Sequence, residues 1–67
     1  MKIVVTIPAY NEEKSIGAIV RKVKSVMNKG RHNYEIIVVD DGSSDDTAKT
    51  AKKAGAVVYS HPKNYGL

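Results

Sequence analysis

Three stretches of the chain are written almost wholly in aliphatic residues, and charged stretches separate them. Residues 2–8, KIVVTIP, form the first, residues 34–40, YEIIVVD, the second, and residues 56–60, AVVYS, a shorter third. β-Branched side chains dominate all of them, so each is predicted to be a strand. Between the first two, Ile16, Ile19, Val20, Val23 and Met27 recur at three- or four-residue steps with Lys and Arg between them. That is the spacing of one face of a helix. Asn11 is a favourable N-cap, Glu12 and Glu13 suit the positive end of a helix dipole, and Gly30 is a natural stop. A second helix is predicted over DDTAKTAKKA, capped by Ser43 or Ser44. Its inner face is small (Thr47, Ala48, Ala51, Ala54), and Gly55 closes it. The last residues, HPKNYGL, read as a polar turn.

Strand–helix–strand–helix–strand with short links predicts parallel strands joined by right-handed crossovers. The fold class is therefore α/β: a three-stranded parallel, Rossmann-like β-α-β-α-β unit with strand order 3-2-1. Strands written as continuous aliphatic runs are normally covered on both faces. In this order, however, both helices fall on the same face of the sheet. The opposite face, one alternate set of side chains from each strand, is left bare, and large bare apolar patches are unusual on monomers. Two expectations follow. Residues 1–67 form a single incomplete domain, the front part of a larger one, or the chain associates with itself or a complementing chain through the uncovered face.

Length agrees with this reading. Sixty-seven residues make one domain at most, and a chain so short buries only about 60% of its unfolded surface. There is no cysteine, so neither disulfides nor a thiolate zinc site are expected, which fits a reducing compartment. No apolar run approaches the ~20 residues of a membrane span, and the N-terminus lacks the layout of a secretion signal. A cytoplasmic location is expected. The net charge of +4 comes mostly from bases on the predicted helices, Arg21, Lys22, Lys24, Lys49, Lys52 and Lys53 among them. Those read as solvated helix faces. Nucleic acid is not an expected partner, because the bases have no Trp or Phe interleaved with them.

The acids are placed differently. Apart from Glu35 they fall in two groups, Glu12 and Glu13 after the first strand, then Asp40, Asp41, Asp45 and Asp46 around the Gly-Ser turn after the second. Glu13, Asp45 and Asp46 have a plain explanation as first-turn acids facing helix dipoles, and His32 and His61 as surface residues. In a parallel open sheet, however, ligands bind beyond the carboxyl ends of the strands. Adjacent parallel strands would bring both acidic turns to one crevice there. The turn is not a calcium loop, because Gly42 follows the acids at once. No G-x-G-x-x-G follows the first strand, which argues against an NAD site. An alternative reading is a non-catalytic module whose acidic crevice holds Mg²⁺ or accepts a phosphoryl group on Asp40 or Asp41.

The stretches VVTIPAYNEEKSIG, YEIIVVDDGSSDDT and NYGL, in this order and spacing, resemble the start of family-2 glycosyltransferases of the GT-A fold. The branch most similar contains the dolichyl-phosphate and polyprenyl-phosphate sugar transferases. The resemblance implies the N-terminal half of a nucleotide-sugar-binding domain, a UDP- or GDP-sugar donor, transfer with inversion to an acceptor such as a polyprenyl phosphate, and Mg²⁺ or Mn²⁺ in the complete enzyme. It carries nucleotide contacts onto Pro8, Tyr10, Glu12, Val39 and Asp41, with Asn11, Asp40, Gly42 and Ser43 supporting the turns. Chemistry agrees residue by residue. Tyr10 offers a wall for a base or ribose. Asp41 can accept N–H groups from uracil or guanine. Glu12 can accept from ribose hydroxyls, Pro8 and the Val39 backbone shape the slot, and Gly42 lets the chain reverse. The family's metal-binding Asp-x-Asp and its base carboxylate correspond to positions beyond Leu67. Neither catalytic residues nor a metal site is thus expected within these 67 residues, and taken alone the segment is expected to be silent.

Overall fold

A computed structural model describes residues 1–60; the polar turn predicted at 61–67, with His61 and the NYGL motif, lies outside the described residues. The elements follow in the expected order: β1 (Lys2–Ala9), α1 (Glu13–Lys29), β2 (Asn33–Asp40), α2 (Thr47–Lys53) and β3 (Val57–Ser60). The strands form one sheet in the order β1-β2-β3, which is the 3-2-1 order read from the other edge. Both pairings are parallel, with Pro8 opposite Val39 and Val39 opposite Tyr59.

One face of the sheet carries the core. Ile16 and Val20 of α1 and Ala51 of α2 pack with Ala9, Ile36, Val38 and Ala56, and Val5, Ile7, Tyr34 and Val58 close around them. The strand members of that group all share one parity of the pleat, so both helices lie on the same side. The other parity set, Val4, Thr6 and Pro8 with Ile37, Val39, Val57 and Tyr59, has no layer over it among the described residues. Val4, Val57 and Tyr59 are 53%, 42% and 58% exposed. Lys2 and Glu35, at the amino end of this bare face, form an ion pair at 3.0 Å.

The helix starts differ from expectation, while the stops fall at Gly30 and Gly55 as expected. The N-cap positions are Glu12 and Asp46 rather than Asn11 and Ser43 or Ser44, and neither makes a side-chain cap of its own. Asn11 instead has a φ of +51°, outside the extended conformation an N-cap needs. At the carboxyl ends both helices finish in the same reversed turn. Arg31 N donates to Asn28 O and His32 N to Met27 O after α1, while Gly55 N donates to Lys52 O and Ala56 N to Ala51 O after α2. Gly55 occupies the left-handed position of its turn with φ +109°. The first helix stops at Gly30, its C-cap, as expected, and the left-handed position of its turn belongs to the next residue, Arg31, at φ +56°.

Candidate functional site

The two acidic turns meet beyond the carboxyl ends of β1 and β2. Asp41 N donates to Ala9 O at 2.9 Å, carrying the ladder one residue past the strands. From there side chains take over. Asn11 N donates to Ser43 Oγ at 2.7 Å, and Ser44 donates to Asn11 Oδ1 from its backbone N at 2.9 Å and from its hydroxyl at 3.3 Å. Glu12 N donates to Thr47 Oγ1 at 2.8 Å. Thr47 Oγ1 in turn donates to Asp45 Oδ1 in a short bond, and Thr47 N donates to the same oxygen at 3.0 Å.

Each helix start is capped by an acid that belongs to the other. Asp45 Oδ2 accepts from Glu13 N at 3.2 Å, and Glu13 Oε1 accepts from Asp46 N at 3.4 Å. These N–H groups are helix-start donors that no residue of their own turn satisfies, and carboxylate acceptors suit them. The Thr47 hydroxyl first, and then the amides of Glu13 and Thr47, hold the Asp45 carboxyl below its ordinary value against a partial loss of hydration. Crowding of acids at this turn is therefore in large part an arrangement of caps.

The aspartate pair divides by the pleat. Asp40 continues the covered parity of Ile36 and Val38; it is buried, and its Oδ1 accepts from Ser43 N at 3.0 Å. That bond, with Gly42 at φ +81°, forms the chain reversal. Asp41, the next residue, is exposed and continues the open parity of Ile37 and Val39. Tyr10 is the first residue beyond β1, two after Pro8, and is 56% exposed. Pro8 and Val39 are paired at the carboxyl ends of β1 and β2, and the turns carrying Tyr10 and Asp41 leave from just beyond them. Glu12 stands behind them at the seam of the two turns, half-buried at the start of α1. Asn11, Asp40, Gly42 and Ser43 all take part in the turns.

Sequence reasoning placed Thr47 on the inner face of the second helix, where it is fully buried, but missed its bonds at the centre of the seam. Its spacing from Asp45, Asp-x-Thr, was the available signal, but its partner Glu12 lies 35 residues away. A separate cleft of about 390 Å³ lies at the other end of the sheet, between Lys24, Tyr34, Glu35, Ile36, Gly55 and Val57. It exists because β3 begins opposite Ile37 and leaves the amino-terminal half of β2 without a neighbour on that side. None of the expected site residues lines it.

Among the described residues, no group of three or more His, Cys, Asp or Glu is placed to hold a metal ion. Asp40, Asp45 and Glu13 already accept N–H groups from the two turns. No helix of the described residues is long and apolar enough to cross a membrane.

The model of glycosyl transferase family 2 matches residues 4–67. The chain belongs to this family. An undecaprenyl-phosphate 4-deoxy-4-formamido-L-arabinose transferase of Pseudomonas fluorescens is 43% identical over 54 residues, covering 81% of this chain and 16% of that protein. Mannosyl-3-phosphoglycerate synthase from Rubrobacter xylanophilus superposes with a TM-score of 0.81 at 30% identity, over 90% of this chain and 19% of that one. Glucosyl-3-phosphoglycerate synthase from Mycobacterium tuberculosis, solved in complex with Mg²⁺ and UDP, is 39% identical with a TM-score of 0.72, over 88% of this chain and 20% of that one. The same enzyme has been solved with Mn²⁺ and UDP-glucose. These neighbours have the GT-A fold, and the three parallel strands and two helices found here superpose on about a fifth of it; the chain spans a quarter or less of the curated relatives it matches.

Proposed function

We propose that this chain is the nucleotide-recognition segment at the front of an inverting sugar transferase, with a UDP- or GDP-sugar as donor. The observation that carries the reading is the meeting of the Tyr10 and Asp41 turns beyond adjacent parallel strands, just past the paired Pro8 and Val39. Tyr10 would lie against the base or ribose, and Asp41 would accept N–H groups from the base edge. Glu12 would reach ribose hydroxyls from the seam. UDP is favoured over GDP by the uridine nucleotides bound to a neighbour 39% identical to this chain. A polyprenyl phosphate is the acceptor class favoured by the undecaprenyl-phosphate relative.

In this reading residues 1–67 are a single incomplete domain and hold neither the catalytic residues nor the metal ligands. The divalent ion, Mg²⁺ or Mn²⁺, would be held by later residues of a complete enzyme, where it offsets charge on the departing diphosphate. This segment contributes the base and ribose pocket. The absence of cysteine fits the cytoplasmic setting we assign it.

Isothermal titration of the chain with UDP, GDP and ADP tests the proposal. Binding of UDP in preference to ADP, lost in Asp41→Ala, is expected. Equal, salt-sensitive binding of all three that Asp41→Ala leaves unchanged would show charge attraction without a shaped pocket. A second reading, self-association through the open sheet face, is favoured by the exposure of Val4, Val57 and Tyr59.

A further inference from the structure

We infer that Asn11 is a positioning residue of the nucleotide site, setting the separation of Tyr10 and Asp41 without touching the ligand; this rests on the nucleotide-binding reading above. The backbone ladder between β1 and β2 ends at the bond from Asp41 N to Ala9 O. Tyr10 stands one residue beyond Ala9 and has no ladder partner, so nothing in the sheet itself fixes its distance from Asp41. A slot that grips a planar base needs its walls held to about 0.5 Å.

Asn11 supplies the missing constraint. It follows Tyr10 directly, and it is fastened to Ser43 and Ser44, two and three residues after Asp41. Its N–H donates to Ser43 Oγ, and its Oδ1 accepts from both the N–H and the hydroxyl of Ser44. Ser43 is itself tied back by its N–H to the buried Asp40. The path from Tyr10 to Asp41 therefore runs through short bonds to a residue rooted in the core.

The position asks for two properties at once. With φ at +51° the backbone is left-handed, which Asn and Asp tolerate better than other side chains and Gly adopts freely. The side chain must also present an acceptor oxygen at the reach of Oδ1. Gly meets the first need only, Asp meets both, and Ala meets neither. These bonds are exposed, so each contributes little to overall stability, and their loss should fall on the geometry of the slot.

The test uses the full chain with Asn11→Gly and Asn11→Asp, titrated with UDP and with uridine, alongside thermal unfolding. Uridine is included because it carries no phosphate for an added carboxylate to repel. Asn11→Gly should weaken both ligands roughly tenfold, a change of about 1.4 kcal/mol, while the unfolding midpoint stays close to that of the unaltered chain. Asn11→Asp should restore uridine binding. The inference is overturned if Asn11→Gly binds both ligands like the unaltered chain. It is overturned equally if affinity and midpoint fall together and Asn11→Asp rescues neither. Failure of the unaltered chain to prefer UDP over ADP would instead overturn the nucleotide-binding reading beneath it.

Discussion

Thr47 Oγ1 lies 2.8 Å from the backbone nitrogen of Glu12, so the first helix begins on a hydroxyl supplied by the second. The same oxygen donates to Asp45, whose carboxylate returns to α1 through Glu13 N. The starts of both helices thus form one hydrogen-bonded unit, and the turns that carry Tyr10 and Asp41 leave from it. Thr47→Val keeps the shape and removes both bonds, leaving Glu12 N–H without its partner. It should destabilise the chain by about 1–3 kcal/mol, measured as a urea midpoint shift. Thr47→Ser keeps the hydroxyl and should cost less. A valine variant as stable as the serine variant would contradict the central role of the oxygen.

Tyr10 should behave in the opposite way. More than half its surface is exposed, so Tyr10→Ala should leave the unfolding transition nearly unchanged. If its ring lies against a base, the same variant should lose about 1–3 kcal/mol of UDP affinity, and Tyr10→Phe should retain most of it. Calorimetric titration of the three proteins gives the comparison. Equal affinity for all three would place the base elsewhere.

Acid should loosen the seam. The folded chain holds the Asp45 carboxyl below its ordinary value, so the unfolded chain binds a proton at that group more readily. Its contribution is fully present above the unfolded value, about 3.9, and is lost as the pH falls through the lower folded value. Urea midpoints should therefore hold steady near neutral pH as far as this group is concerned and drop in the acid range below pH ~4. Asp45→Asn should start lower at neutral pH and drop less over that range. An identical acid slope in both proteins would remove Asp45 from the account.

What could be read in the sequence, and what could not, divides by the range of the interaction. Continuous aliphatic runs identified the three strands, their parallel order and the bare face, because the pleat and the crossover rule act on every residue of a run. The split of Asp40 and Asp41 into a buried turn support and an exposed residue also follows from that two-residue alternation. The helix caps did not follow. Asn11, Ser43 and Ser44 are good N-caps by type, but here they bond to each other across 32 or 33 residues. Local propensity cannot show which of two nearby turns a polar side chain will serve. The stop of α1 at Gly30 was legible from residue type, whereas the left-handed conformation of the next residue, Arg31, was not.

The two carboxyl-terminal turns make a matched pair of predictions with opposite signs. Gly55 holds φ +109°, and an added Cβ would meet the Lys24 ammonium at 2.5 Å. The ammonium can swing away, but the backbone angle remains, so Gly55→Ala should cost more than about 1 kcal/mol. Arg31 is the non-glycine residue in the equivalent position, at φ +56°. Arg31→Gly should gain about 0.5–1 kcal/mol, the left-handed strain relieved less the entropy of glycine. Urea unfolding of both variants against the original chain decides. A destabilised Arg31→Gly would mean that its side chain stabilises the turn by more than the angle costs.

The open face makes the last prediction. Val4, Thr6, Ile37 and Val57 form its middle, Pro8, Val39 and Tyr59 its carboxyl edge, and among the described residues only the Lys2–Glu35 pair at the amino end places paired charge on it. Burial of apolar surface returns about 25 cal/mol per Å², and two such faces can stack as aligned sheets about 10 Å apart. Sedimentation of this chain should therefore show mass rising with concentration. Val4→Lys with Val57→Lys should return it to a monomer, since charges in the centre of a stacked face cannot be solvated. Both positions are exposed in the single chain, so the double variant should fold as the original does. A monomer at every concentration would show that this face needs a covering layer of different sequence, as in a longer chain.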